Sequence, residues 1–295
     1  MRALALLALA GAAGCSMSFD PASYVKGLRV LAVQADQPEL APGQETTLRL
    51  LVSDGNDDAT VEWARCTLPT YPGAGFINPD CTKETPEPWL IPLAPESTDR
   101  TVRFTMPNVD PLSGQLGLPD STSGFYIPVR AIVRSGTEKV MTFYRVRVLL
   151  TISPQPANKN PVLTEMSTIP WMGADAGFTG EGFPIPESET LEVKGGYRIG
   201  LSAAATPDSI ESYTRLAGDP RDMKLETVNE VVRFFWYTTA GELEREITGP
   251  ERPENTLNLA KRPPSSLPAV IDLYVVAHDE RGGTSWLKRQ LRVVP

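Results

Sequence analysis

Few residues in this chain have the type and spacing for acid–base or metal chemistry. The single histidine, His278, stands in "VVAHDERGG", at the end of an alternating apolar run and just before a turn. One imidazole cannot build a His-rich metal site, and a nucleophile–histidine–acid relay needs it in a pocket beside the nucleophile. Period-two alternation puts it on the face opposite Val275 and Ala277, so it reads as a solvated residue flanking a hairpin. In "SDGNDDAT", Asp54, Asn56 and Asp58 have the alternate spacing that opens a calcium loop. The twelfth position from Asp54 is Arg65, where such a loop carries a bidentate Glu, and a plain turn between strands accounts for the same residues. "GAGF" and "ERGG" lack the strand–loop–helix setting of a phosphate loop. Nothing calls for a cofactor. A hydrolase built on this chain would work with carboxylates alone, and spacing in sequence does not set their separation.

The remaining candidates are aromatic. "TIPWMGADAGFTGEGFPIPES" carries Trp171, Phe178 and Phe183 through a Gly-rich stretch with no regular period, and "TPEPWLIPL" does the same with Trp89. Rings on scaffolded loops are common tools for holding sugars or peptides, and they also tuck under their own loops as small satellite cores. A net charge of -8 argues against nucleic acid as a partner, since phosphate binding needs clustered Lys and Arg. The run Lys288-Arg289-Gln290-Leu291-Arg292 alternates with apolar positions and reads as the wet face of a strand.

The N-terminus says where these residues are displayed. Arg2 precedes an apolar run through Ala10 and then small residues, the layout of a signal peptide. The run is shorter than the ~20 residues needed to cross a bilayer. Ala12-Ala13-Gly14-Cys15 resembles the lipobox of bacterial lipoproteins, with Ala12 where that family usually has Leu. The resemblance implies cleavage before Cys15 and acylation of that residue, leaving 1–14 as signal peptide and 15–26 as a lipidated tether. Of the three cysteines, acylation of Cys15 then leaves Cys66 and Cys81 to pair. Ser16 after the cysteine is, in the same family, a residue compatible with export to the outer membrane.

Beyond the tether, 28 prolines and 23 glycines cut helical patterns short, and alternation of period two prevails. Leu28, Val30 and Ala32 share one face of a strand, and Thr46, Leu48, Leu50 and Val52 share another. "VEWARC" places Val61 and Trp63 together, and "GFYIPVRAIVR", "SGTEK" and "VMTFYRVRVLL" form a hairpin with Phe125, Ile127, Val129, Ala131 and Val133 on one side. The same order returns later. Tyr197, Ile199, Leu201 and Ala203 alternate, "VVRFFWYTTAGE" carries Trp236 as the earlier strand carries Trp63, and "VIDLYVVAHDERGGTSWLKRQLRVV" closes with a hairpin turning at "DERGG". "PDSIESYTRLAG" predicts a short helix capped by Asp208 and stopped at Gly218. "TISPQPANKNP" is Pro-rich and reads as a semi-rigid linker over 151–161. The expected fold is therefore all-β: two tandem Ig-like β-sandwich domains, at 27–150 and 162–295, after a cleaved lipoprotein signal peptide.

The cysteine and tether, "VKGLRVLAVQADQPELAPGQ", "WYTTAGELE" and "VVAHDERGGTSW" together resemble envelope lipoproteins of the myxobacterial type with tandem Ig-like or PKD-like domains. That resemblance implies fold and anchoring, and no activity. It leads us to expect a non-catalytic binding or structural module of the bacterial cell envelope, attached to a membrane, in particular the outer one, through its acyl chains. Its partner would be an envelope protein or a glycan. The other readings are a carbohydrate- or peptide-recognition module and an accessory subunit of an envelope assembly.

Overall fold

In the computed structural model, which describes residues 20–53, 58–69, 77–84, 86–110, 114–149, 156–170, 182–218 and 222–295, the period-two runs become strands. The first half contains β1 (Arg29–Ala35), β2 (Glu39–Leu40), β3 (Glu45–Ser53), β4 (Thr60–Cys66), β5 (Leu90–Pro92), β6 (Thr101–Thr105), β7 (Tyr126–Ser135) and β8 (Glu138–Val148). One sheet has the order β2-β8-β7-β4-β5 and the facing sheet β1-β3-β6. The entering chain divides between the sheets: β1 runs antiparallel to β3, and β2 then pairs parallel with β8.

The second half contains β9 (Leu163–Ile169), β10 (Phe183–Pro184), β11 (Leu191–Lys194), β12 (Arg198–Ala205), β13 (Ser212–Ala217), β14 (Lys224–Asn229) and β15 (Arg233–Thr238). It continues through β16 (Glu242–Leu243), β17 (Ile247–Thr248), β18 (Glu254–Asn258), β19 (Ala269–His278) and β20 (Thr284–Val294). Its sheets are ordered β11-β20-β19-β15-β17 and β10-β9-β12-β18-β16. The eight strands of the first half recur in the same arrangement, to which the second half adds the short strands β10 and β16 and a separate β13-β14 hairpin. β11 lies parallel to the last strand as β2 does, and the Trp strand β15 sits beside β19 as β4 sits beside β7. Two sheets face to face, antiparallel except for the one short parallel edge strand, with a buried Trp and a closing hairpin in one of them, make each half an Ig-like sandwich.

Each sandwich closes on its own core. Val61, Trp63, Phe104, Ile127, Val129 and Val133 belong to the first, and Met166, Leu201, Phe234, Trp236, Leu257 and Val275 to the second. Burying a side chain of this size contributes about 1.5–3 kcal/mol. Cys66 follows Trp63 by three residues and so faces away from that core. With Cys81, Ala64 and Leu90 it forms a small cluster on the outer face, and the Cys66–Cys81 disulfide, Cα–Cα 5.9 Å, staples the loop between them.

Three details depart from the sequence reading. The alternation of Leu28, Val30 and Ala32 breaks at a β-bulge between Val30 and Ala32, which sends Ala32 to the outer face and returns Val33 and Ala35 to the core. The predicted helix at Pro207–Gly218 is a single 3-10 turn, Pro207–Ser209, followed by β13. Pairing of six residues with β14 overrides the helical spacing, because the hairpin supplies partners for the backbone along its whole length. Tyr197 is 63% exposed, so the core-facing run on β12 begins at Ile199.

Candidate functional site

The most elaborate side-chain arrangement lies where the two sandwiches meet, and its elements follow from the strand pattern. β1 is buried on both faces: Val33 and Ala35 point into the first core, while Leu31 and Ala32 face the second sandwich. On the other side, β19 turns Val275 and Ala277 inward and presents Tyr274 and Val276 outward. These outward residues meet Leu31, Ala32, Leu51 and Val25 in a third apolar cluster that belongs to neither core alone.

Polar groups extend this seam. The expected linker is part of it: Asn158 is 3% exposed, its backbone N–H donates to Glu39 Oε2 at 2.8 Å, and its side-chain amide donates to Asp279 Oδ2 at 3.2 Å. Asn160 donates to the Ala35 carbonyl at 2.7 Å and accepts from the Thr284 N–H at 2.9 Å, so one side chain ties the backbones of both halves. Tyr144 Oη donates to the Gly282 carbonyl at 2.9 Å, and Gln34 Nε2 donates to the Thr284 carbonyl at 2.7 Å. The expected tether joins in as well. Val25 N–H donates to the Thr238 carbonyl, Thr238 N–H donates to the Ser23 carbonyl, and Arg262 pairs with Asp20 and lies over the Tyr24 ring.

Two buried arginines organise the charge. Arg147 donates to Glu39 Oε1 at 3.0 Å and to Tyr126 Oη at 2.9 Å. It occupies the space beside Gly124, where a Cβ would come within 2.1 Å of Nη1. Arg281 donates to Glu230 Oε1 at 2.5 Å and to Glu211 Oε2 at 2.9 Å. One guanidinium thus serves two carboxylates with Asp279 nearby, and burial raises Glu230 to about 7 against the pull of Arg281. Burial also raises Asp279, opposed by the Gly283 N–H that donates to it. These shifted carboxylates are the kind a histidine-free hydrolase would need, but Glu230 is 4% exposed, and neither acid lines the groove that the seam leaves open.

That groove measures about 300 Å³ and is bordered by Leu31, Val33, Tyr144, Arg145, His278 and Thr284. His278 is half-buried there instead of solvated. Its Nδ1 lies 3.0 Å from Thr284 Oγ1, its ring meets the Phe235 ring edge-on, and burial lowers its pKa to about 4. The sequence reading missed this because it assigned the outer face of β19 to water. The adjacent apolar pair Val275-Val276 is the signal that both faces of the strand are covered.

Two of the aromatic candidates, Trp89 and Phe183, lie apart from the seam. Trp89 packs against the disulfide cluster, donates from Nε1 to the Asp80 carbonyl at 3.3 Å, and carries the Lys83 ammonium over its ring. Phe183 sits on the two-residue strand β10 at a sheet edge and is 67% exposed. Trp171 and Phe178 lie outside the described residues, as do Cys15, Asp54 and Asn56. Asp58 is exposed in the turn before β4. Among the described residues no three His, Cys, Asp or Glu side chains are placed to hold a metal ion.

No protein-family model and no curated protein matches the sequence. Solved structures do. A chimeric titin Z1Z2-Z1Z2 tandem functionalised with an exogenous fibronectin GRGDS peptide is 9% identical, covering 91% of this chain and 100% of its own, with a TM-score of 0.27. The N-terminal Ig1-2 module of the Drosophila receptor protein tyrosine phosphatase DLAR is 9% identical, over 92% of this chain and 100% of its own, with a TM-score of 0.23. Drosophila N-cadherin EC1-4 is 13% identical, over 90% of this chain and 49% of its own, again with a TM-score of 0.23.

Proposed function

We propose that this chain is a membrane-anchored lipoprotein of the bacterial cell envelope, held by acyl chains on Cys15, that serves as a non-catalytic binding and structural module. The observation that carries this reading is cysteine bookkeeping. Of three cysteines, Cys66 and Cys81 are joined, so Cys15, preceded by a non-spanning apolar run and small residues, is the one left to be modified. Each buried methylene contributes about 0.8 kcal/mol, so one chain holds marginally and two or more hold firmly. Ser23 is docked against Thr238, and eight residue steps separate it from Cys15. At about 3.5 Å per residue the acyl group would lie within about 28 Å of that contact, which keeps the sandwiches close to the membrane. The partners would be proteins or glycans of the envelope.

Mass spectrometry of the mature N-terminus tests the reading, together with membrane fractionation of the Cys15→Ser variant. The expected results are an N-terminal peptide that begins at an acylated Cys15 and loss of the variant from the membrane fraction. An unmodified Cys15 in the mature chain would remove the anchor.

A further inference from the structure

The first sandwich has a second opening, at the far end of its Trp strand. Along β4, alternation sets Val61, Trp63 and Arg65 on one face; Val61 and Trp63 are core residues, so Arg65 occupies a core-facing position at the strand's end. It borders a cleft of about 360 Å³ whose walls include Leu68, Pro69, Val109, Leu116 and Ile127. Leu116 and Ile127 belong to the core itself, so the cleft is where the core of the sandwich opens outward.

One nitrogen of the guanidinium there lacks an acceptor among the described residues. Arg65 Nε is buried, and among the described residues nothing accepts its hydrogen. Burial lowers the Arg65 pKa from its ordinary value, and no carboxylate acts on it, in a chain whose net charge is -8. The buried arginines at the seam show the contrast: Arg147 and Arg281 each hold a carboxylate. A buried donor without an acceptor is a costly arrangement, and because Arg65 as a whole is only half-buried and lines the cleft, its guanidinium can meet an acceptor that enters there.

We propose that this cleft binds a carboxylate carried on an apolar body, with the carboxylate on Arg65 and the body against Leu68, Val109, Leu116 and Ile127. At about 30 Å³ per water-sized group the volume corresponds to about 12 such groups, which suits a short aliphatic acid or the last, apolar residue of a peptide chain. A charge-assisted hydrogen bond to the guanidinium sets the preference for the acid over an uncharged analogue of the same shape. The site depends on neither the anchor nor the seam.

The test uses the full chain carrying Cys15→Ser, so that no acyl chain of its own competes, with binding read by isothermal titration calorimetry. Octanoate is the free-acid probe and N-acetyl-Ala-Ala-Leu the peptide probe; octanol and the C-terminal amide are their uncharged counterparts. The expected result is that at least one acid binds with a Kd on the order of 0.1–1 mM, and that its uncharged counterpart binds about 10-fold or more weakly. Arg65→Met should abolish that difference. Gln115→Trp, which places a ring at an exposed position on the cleft wall and leaves Arg65 in place, should weaken the acid about 10-fold or more. Which acid binds identifies the source. Failure of both acids to bind, equal binding of acid and uncharged counterpart, or undiminished binding by either variant would each overturn the assignment.

Discussion

Glu230 and His278 lie at the same end of the second sandwich, one just before β15 and the other at the end of β19, and burial moves them in opposite directions relative to proton binding. His278, near 4 in the folded chain against an ordinary 6.5, resists a proton that the unfolded chain accepts. Lowering the pH from 6.5 to 5.0 should therefore remove about 1.6 kcal/mol of stability through this residue. Glu230, near 7 against an ordinary 4.5, keeps a proton that the unfolded chain has lost. The same acidification should add about 1.7 kcal/mol through the carboxyl. The two contributions cancel, so each variant should expose the other residue. Glu230→Gln keeps the size and removes the titration; relative to the parent chain it should lose about 1.7 kcal/mol more on going from pH 6.5 to 5.0. His278→Gln should shift the difference by about 1.6 kcal/mol the other way. Urea unfolding at the two pH values, followed by Trp fluorescence and compared at constant m, reads these differences directly. A Glu230→Gln variant with the parent's pH dependence would refute the argument. It would mean that Arg281 keeps the carboxylate ionised throughout, although that guanidinium is shared with Glu211.

Two other perturbations test the frame. Replacing both Cys66 and Cys81 by Ser opens a loop with a sequence separation of 15 and should cost about 3 kcal/mol, seen as a lower urea midpoint; an unchanged midpoint would mean that the small outer cluster holds without the bond. Glu39→Ala leaves Arg147 buried without its carboxylate and Asn158 N–H without its acceptor, so it should cost about 3–5 kcal/mol. Hydrogen exchange at the Asn158 amide should speed up with it, and continued protection there would place the linker's hold elsewhere.

The sandwiches were legible because each strand that has one wet face writes its register into the sequence. Phe125, Ile127, Val129, Ala131 and Val133 line up in the first core as their spacing requires, and Trp63 and Trp236 take matching places because they repeat within the same strand order. The seam was not legible in the same way. Leu51, Tyr274 and Val276 occupy positions that alternation assigns to water, and only tertiary contact covers them. Asn158 and Asn160 look like linker residues because a short polar side chain in a Pro-rich stretch satisfies backbone groups equally well in a turn or across an interface. Arg65 could have been found. It shares the parity of Val61 and Trp63, and an arginine on a core-facing position demands an acceptor that the neighbouring sequence does not supply.

The placement of residues 20–26 changes what an anchor at Cys15 would do. If these residues were free, the acyl chains would hold the first sandwich by its opening strand and leave the second to swing from the linker. Instead, Ser23 and Val25 are bonded to Thr238, and Arg262 fixes Asp20, so the N-terminal segment leaves the body from the second sandwich before β1 begins. Asn158 and Asn160 bind across the seam, and the apolar cluster of Val25, Leu31, Leu51, Tyr274 and Val276 lies beneath the same contacts. A pull transmitted from the membrane would meet the Val25–Thr238 pairing first and then the seam, and only afterwards the ladder of β1 with β3. The anchor would then act on both sandwiches together. On that geometry an acylated Cys15 would hold the tandem at the membrane as one unit, and its loops, including the Arg65 cleft of the first sandwich, would keep a set orientation towards whatever approaches.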